Sequence, residues 1–165
     1  MEHNAAEKDY DNGEYGPTLV NDFALDFVSR HREKPFLLYY PMILTHDPFQ
    51  PTPDSANWDP TTKSENQLKD TKHFAEMVAY MDKMIGRLDA KLGELGIRDN
   101  GTHSSITSRF RGGDYQGGKG STTERGTHVP FIASWPGVMK QGRVSQDLIS
   151  SVDFFPSLCA AAGVT

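Results

Sequence analysis

A single lysine, Lys119, lies within a glycine-rich stretch that runs from Gly113 to Trp135 and reads GDYQGGKGSTTERGTHVPFIASW. Glycine has no Cβ, so the backbone on both sides of this lysine can approach a ligand closely. Backbone N–H groups and a nearby ammonium together favour a negatively charged ligand. The stretch therefore predicts an anion-binding loop around Lys119.

Two other interpretations of this loop stay open. Gly113, Gly118 and Lys119 match the G-x-x-x-x-G-K part of a nucleotide-binding P-loop. That motif continues with Ser or Thr, which ligates magnesium, whereas position 120 is Gly. An ordinary solvent-exposed loop is the second alternative, because clusters of Gly, Ser and Thr between periodic segments are commonly loops.

A histidine, His46, is the second candidate for chemistry. It follows the apolar run FLLYYPM at 36–42, which predicts a strand buried on both faces of a parallel sheet. Ligands of open α/β sheets collect beyond the carboxyl ends of the strands. The position of His46 in the sequence THDP, directly after this run, therefore predicts a ligand-binding role.

Length and charge exclude several classes of protein. The chain has 165 residues and a formal net charge of −5, which argues against a general nucleic-acid binder or a protein of anionic membrane surfaces. No apolar run reaches the length of a membrane span. Residues 1–14 are polar and predict a loose tail, and residues 15–165 predict one domain. The only cysteine, Cys159, permits no disulfide within the chain.

Two amphipathic helices and two short strands would have to position these residues. Apolar side chains recur at helical spacing from Pro17 to about His31, which predicts the first helix. The same spacing over residues 65–96 predicts a second helix, the longest element, and Gly96 is expected to end it as a left-handed cap. No strand is predicted between Ile97 and Val129. A strand at 129–135 and a short helix that Gly163 ends complete the pattern, which is that of an α/β protein.

Four blocks in this order resemble the later part of the catalytic domain of sulfatases of the arylsulfatase type. The blocks are residues 34–55, 74–103, 113–137 and 152–163. The resemblance implies a fragment of an alkaline-phosphatase-like α/β fold, in which helices flank a mainly parallel sheet. It also implies hydrolysis of sulfuric esters and a periplasmic, extracellular or lysosomal location.

The same resemblance implies a role for four residues. Lys119 and His46 would contact the sulfate ester as catalytic and substrate-binding residues, and Asp99 with Asn100 would ligate calcium. In the family, a strand precedes the Asp-Asn metal ligands, and this sequence contains no such strand. The implied substrate is a small sulfate ester or a sulfated glycan.

The family's nucleophile is a formylglycine made from Cys or Ser in the motif C/S-x-P-x-R, and Cys159 is followed by three alanines instead. We therefore expect this chain to be a partial catalytic domain, inactive alone and with exposed apolar surface and poor solubility. One alternative is a non-catalytic module that binds sulfated glycans or anions through Lys119, His46, Arg109 and Arg111. Another is a phosphatase or phosphodiesterase of the same superfamily.

Overall fold

The computed structural model describes residues 2–3, 6–10, 12–61, 71–98, 103–105, 122 and 131–164. The chain divides into two compact units, Met1–Arg98, named the first unit here, and Asp99–Thr165, named the second unit. The first unit begins with strands β1 (Glu2–His3) and β2 (Ala6–Glu7), which pair antiparallel. The loose tail expected at residues 1–14 stays a prediction.

Helix α1 spans Gly16–His31, as the apolar periodicity predicts. Pro17 lies in its first turn, where the missing N–H donor costs nothing and the fixed φ suits a helix. Asn21, Ala24 and Val28 are buried, and their spacing of three and four residues defines one inward face. His31 lies in the last turn, where a basic side chain complements the negative end of the helix dipole.

Helix α2 spans Phe74–Glu94 and is the longest element among the described residues, which confirms that prediction. A 3₁₀ turn, Thr71–His73, precedes it, and the predicted start at residue 65 lies outside the described residues. Gly96 ends the helix with φ of +69°. The Gly96 N–H donates to the Gly93 carbonyl at 3.0 Å, and the Ile97 N–H donates to the Leu92 carbonyl at 3.0 Å. This pair of bonds is a Schellman motif, so the predicted glycine cap is confirmed.

Helices α1 and α2 run in the same direction, because a contact further along α1 is also further along α2. The Thr18 hydroxyl lies 2.7 Å from the Tyr80 hydroxyl. One turn further, the Asn21 side-chain amide donates to the Met84 carbonyl at 3.0 Å. Parallel neighbouring helices are the arrangement found where each helix connects parallel strands of one sheet.

The segment at 36–42 is extended but is not a strand of any sheet, so the predicted central strand is wrong for this structure. Its side chains still alternate. Leu38, Tyr40 and Met42 are half-buried, whereas Leu37 and Tyr39 are 71% and 84% exposed. A central strand needs hydrogen-bonding neighbours on both edges, and the described residues supply none to this segment. One face therefore packs on the helices and the other remains exposed.

The core of the first unit is a cluster of buried side chains from α2 and the end of this extended segment. Leu44, Met77, Tyr80, Met81 and Met84 form it, and Tyr15, Met42, Phe49 and Ile85 pack against it. The methionines at helical spacing are therefore core residues. Their unbranched side chains fill the irregular gap between a helix and a loop.

The second unit contains strands β3 (His103–Ser105) and β4 (Ile132–Ser134), which pair antiparallel with His103 opposite Ser134. The prediction of no strand between Ile97 and Val129 is wrong at β3, and the predicted strand at 129–135 is confirmed at β4. The sequence of β3 is polar, so it carries no apolar strand signal, and backbone pairing defines it instead. The described residues contain only antiparallel pairs, so the mainly parallel sheet is not seen.

Helix α3 spans Phe154–Ala161 and ends at Gly163, whose φ is +71°. The Val164 N–H donates to the Cys159 carbonyl at 2.9 Å, again in a Schellman motif. A 3₁₀ turn precedes α3, and the Asp153 carboxylate accepts the Ser150 N–H at 2.7 Å. The predicted helix and its glycine end are thus confirmed.

Candidate functional site

His46 lies at a turn directly after the extended segment. Its N–H donates to the Ile43 carbonyl at 2.9 Å, which closes the turn. The peptide bonds before Thr45 and before Pro48 are both cis. The structure thus places His46 at the carboxyl end of the segment, the position predicted from the sequence, although that segment is not a strand.

Two apolar anchors fix this turn on α2. Leu44 is buried in the core cluster on one side of His46. On the other side, the ring of Phe49 packs edge-to-face on that of Phe74, with centroids 5.3 Å apart. Because both anchors lie within three residues of His46, packing holds the backbone while the imidazole points away from the core.

The His46 imidazole contacts the residue that follows it. Its Nδ1 lies 2.6 Å from the Asp47 carbonyl oxygen and 3.0 Å from the Asp47 carboxylate. An N–H at Nδ1 donates to these oxygens and thereby orients the ring. The His46 side chain is 59% exposed, so a dissolved anion can reach it.

A partly buried polar network, which sequence reasoning missed, links the loop after His46 to the start of α2. The His73 side chain is only 5% exposed, and its Nδ1 lies 2.7 Å from Glu76 Oε2. The Ser55 hydroxyl donates to the same oxygen at 2.7 Å. The Thr52 N–H donates to Ser55 Oγ at 2.8 Å, and Thr52 is itself buried.

These hydrogen bonds change the acidity of Glu76. The bond from Ser55, and next the bond from His73, hold the pKa of the Glu76 carboxyl below its usual value, because both stabilise the ionised form. The i, i+3 spacing of His73 and Glu76 at a helix start was the one available signal for this pair. Ser55, which hydrogen-bonds to this pair, lies in a Pro-rich irregular stretch whose sequence does not predict that contact.

Five of the predicted site residues lie outside the described residues. These residues are Lys119, Asp99, Asn100 and, for the alternative anion site, Arg109 with Arg111. Within the described part of the chain, no three His, Cys, Asp or Glu side chains cluster closely enough to hold a metal ion. The two calcium ligands that the resemblance implies, Asp99 and Asn100, lie outside that part, so the calcium site stays a prediction.

No helix among the described residues has both the length and the apolar character needed to cross a membrane.

Comparison with known proteins adds a family match. A family model described as Sulfatase matches residues 2–164. Steryl-sulfatase of Rattus norvegicus is 30% identical over 153 residues, which cover 84% of this chain and 25% of that protein. Arylsulfatase A of Bos taurus is 32% identical over 159 residues, which cover 86% of this chain and 28% of that protein.

A bacterial relative matches the same extent of the chain. N-acetylgalactosamine-6-O-sulfatase of Bacteroides thetaiotaomicron is 30% identical over 161 residues, which cover 86% of this chain and 29% of that protein. The chain therefore spans only 25% to 29% of the length of these three curated relatives.

Proposed function

Because the chain belongs to the sulfatase family, we propose that it forms part of a sulfuric ester hydrolase, in which His46 and Lys119 bind the sulfate group. The family match over residues 2–164 carries this proposal. The described geometry adds that His46 is exposed on a turn held by packing on both sides. The three relatives are named for steryl, aryl and N-acetylgalactosamine substrates, so the class common to them is a sulfate ester.

The chemistry required at such a site is charge control. Hydrolysis of a sulfate ester places negative charge on the sulfate oxygens and on the leaving oxygen, and fixed N–H donors stabilise that charge. Because Nδ1 of His46 already donates to Asp47, the donor to sulfate is the Nε2–H of the protonated ring. The ammonium of Lys119, in its glycine-rich loop, supplies a compact positive charge.

We further propose that Asp99 and Asn100 provide metal ligands, as the family resemblance implies for calcium. Two side chains supply far fewer than the six to eight oxygen ligands that calcium takes. We therefore expect no tight calcium site in this chain alone, and calorimetry of the purified chain with and without Asp99→Ala tests it. Micromolar calcium binding that Asp99→Ala abolishes would contradict the expectation of no tight site, whereas binding that Asp99→Ala leaves unchanged would contradict the role of Asp99 as a ligand.

The α/β fold of the family also accounts for the first unit. Helices α1 and α2 are parallel, and the segment 36–44 runs antiparallel to them. The ring of Phe36, at its start, packs on Phe27 near the end of α1, and the ring of Phe49, just after it, packs on Phe74 at the start of α2. Such an arrangement is compatible with the helix layer of an α/β sheet. We propose that 36–42 takes its place in a mainly parallel, alkaline-phosphatase-like sheet when further strands are supplied.

The catalytic part of the proposal is tested on the purified chain with 4-nitrophenyl sulfate. We expect binding without release of nitrophenol, because the C/S-x-P-x-R motif is not in this sequence and covalent turnover depends on the nucleophile. Release above the rate of a blank would contradict the expectation of inactivity. Binding without hydrolysis is also what the non-catalytic anion-binding alternative requires of this chain.

Binding is measured by NMR during a titration with sulfate and with the aryl sulfate. We expect resonances of His46 and Lys119 to shift with saturation, and Lys119→Ala to weaken binding by about threefold to tenfold. The matched control is Lys140→Ala, which removes an exposed lysine of the second unit from a position with no predicted role. If both lysine variants behave alike and His46 does not shift, the proposed sulfate ligands are wrong and only the family membership stands.

A further inference from the structure

A cleft of about 340 Å³ lies within the first unit, beside the start of α1. Sites for small ligands in proteins commonly occupy about 300–1,000 Å³. Three aromatic rings line it, those of Tyr15, Trp58 and Tyr80, together with the carboxylates of Glu14 and Asp22. None of these residues belongs to the proposed sulfate site.

The ring of Tyr15 stands nearly perpendicular to each of the other two rings. Tyr15 packs on Trp58 with centroids 5.3 Å apart and planes at 83°, and on Tyr80 with centroids 5.3 Å apart and planes at 89°. Perpendicular rings form corners, in which one compact group can touch the faces of two rings. The negative electrostatic potential of those faces attracts a cation. Lys83 Nζ already lies 5.2 Å from the centroid of Tyr80, so this ring does accept a positive charge.

The carboxylates give the cleft a negative charge. Asp22 is paired with Arg87 at 2.7 Å. Glu14 accepts the Asn12 N–H at 2.8 Å, and none of the ion pairs among the described residues includes Glu14. Burial, and next the neighbouring Tyr80, raise the pKa of Tyr15 to about 12, so its ring stays a neutral phenol at ordinary pH. The negative charge at the cleft is therefore that of Glu14.

The backbone is built to bring Glu14 and Tyr15 against Trp58. Gly13 has φ of +79°, in the left-handed region that glycine tolerates. A Cβ at this position would lie 2.3 Å from Pro60 Cβ, closer than atoms can approach. Only glycine allows the chain before α1 to lie directly on the segment that carries Trp58. The wall of the cleft thus depends on a specific residue.

We propose that this cleft binds a small organic cation of the alkylammonium class, with its charged head on the rings of Trp58 and Tyr15 and beside the carboxylate of Glu14. An aromatic surface and a carboxylate are complementary to such a cation. A sulfate ester is excluded from the same place by repulsion from Glu14. A neutral sugar also stacks on aromatic rings, but it gains nothing from the net charge of Glu14. The proposal does not depend on the proposed function.

The experiment is an NMR titration of the full 165-residue chain with tetramethylammonium chloride at constant ionic strength, with sodium chloride as the balancing salt. The amide resonances of Glu14 and Tyr15 report binding. We expect them to shift with saturation in the millimolar range. A neutral analogue of similar shape, tert-butanol, should not shift them with saturation.

Three variants assign the interaction. Glu14→Gln keeps the shape of the side chain and should weaken binding by about twofold to fivefold, the effect of one exposed charge. Glu33→Gln is the matched control, since it removes an exposed glutamate elsewhere in the first unit and should leave binding unchanged. Trp58→Ala should weaken binding by about tenfold, and Trp58→Phe, which keeps a ring, by less.

Each opposite result overturns the proposal. Equal binding of tert-butanol would show an apolar pocket without selectivity for charge. Saturable shifts with methyl glucoside but not with tetramethylammonium would show a saccharide site. Unchanged affinity in both Glu14→Gln and Trp58→Ala would show that neither the charge nor the aromatic ring contacts the cation.

Discussion

The first and second units both contain helices with apolar side chains, but these side chains differ in how far they are buried. Helix α2 buries five residues against α1 and the segment that ends at Leu44. Helix α3, with the sequence FFPSLCAA, buries none, and Phe155 on it is 77% exposed. The more apolar helix is thus the more exposed one. Apolar sequence creates a tendency to be buried, and only a packing partner turns that tendency into stability.

The largest effect that tests this comparison is at Met84, which is 1% exposed in the core of the first unit. Met84→Ala should lower the free energy of unfolding by about 2–5 kcal/mol, because it removes buried methylenes and leaves a cavity. Met84→Leu, which nearly conserves volume, should cost less than about 1.5 kcal/mol. Urea denaturation measures both.

Phe155→Ala in α3 is the counterpart in the second unit. Its ring is largely exposed, so the same measurement should show a change of less than about 0.5 kcal/mol. A loss at Phe155 as large as that at Met84 would mean that α3 is buried in solution, and the contrast between the units would be wrong.

Two glycines sharpen the comparison, because Gly13 in the first unit and Gly137 in the second share φ of +79°. An alanine at either position pays the cost of the left-handed backbone, about 1–2 kcal/mol. At Gly13 the new Cβ also collides with Pro60, which adds about 1–3 kcal/mol of overpacking. No atom of the described residues lies within 4 Å of a Cβ at Gly137. Thermal unfolding should therefore rank Gly13→Ala as the more damaging, and equal effects would contradict the close contact with Pro60.

The network around Glu76 gives the first unit a dependence on pH. The pKa of Glu76 is lowered from 4.5 in the folded chain, so its contribution to stability is fully present above pH 4.5 and is lost as the pH falls through the folded pKa. The difference in stability between the natural chain and Glu76→Gln should hence shrink below pH 4.5. Ser55→Ala removes the main cause and should reduce that difference. A gap that widens on acidification would have the wrong sign.

The smallest effect on stability is expected where apolar side chains face outward in either unit. Leu37 and Leu148 are both highly exposed, in agreement with the exposed apolar surface expected from the sequence. Leu37→Lys and Leu148→Lys should change the free energy of unfolding by less than about 0.5 kcal/mol, yet reduce self-association in sedimentation velocity experiments. A large loss of stability in either variant would show that its leucine is covered.

Most helices could be predicted from the sequence because their signals are local. The spacing of apolar residues located α1 and α2, and Gly96 and Gly163 located two ends, since a left-handed residue after a helix is a property of a few neighbouring residues. His46 was likewise located at a turn after an apolar run. Its role as a sulfate ligand, like that of Lys119, stays a proposal.

The strands were harder to predict than the helices, because a strand is defined by a partner that can be far away in the chain; of β3 and β4, only β4 was predicted. The apolar run at 36–42 predicts a buried strand, but among the described residues it has no paired neighbour and exposes one face. Polar His103–Ser105 predicts no strand, yet it pairs with Ile132–Ser134. Sequence periodicity indicates which face of a strand is apolar, but it does not indicate which strand pairs with it.

The sequence by itself determined the family, the helix positions, the glycine ends and the residue types available for an anion, all of which depend on local pattern or on resemblance. Only the tertiary structure decided that His73 is buried beside Glu76, and that Ser55, which is 21 residues before Glu76, completes the network. It also decided that Tyr15, Trp58 and Tyr80 meet in one cleft. Contacts between residues so far apart in the chain form only when packing brings their elements together, because loop closure must be offset by burial.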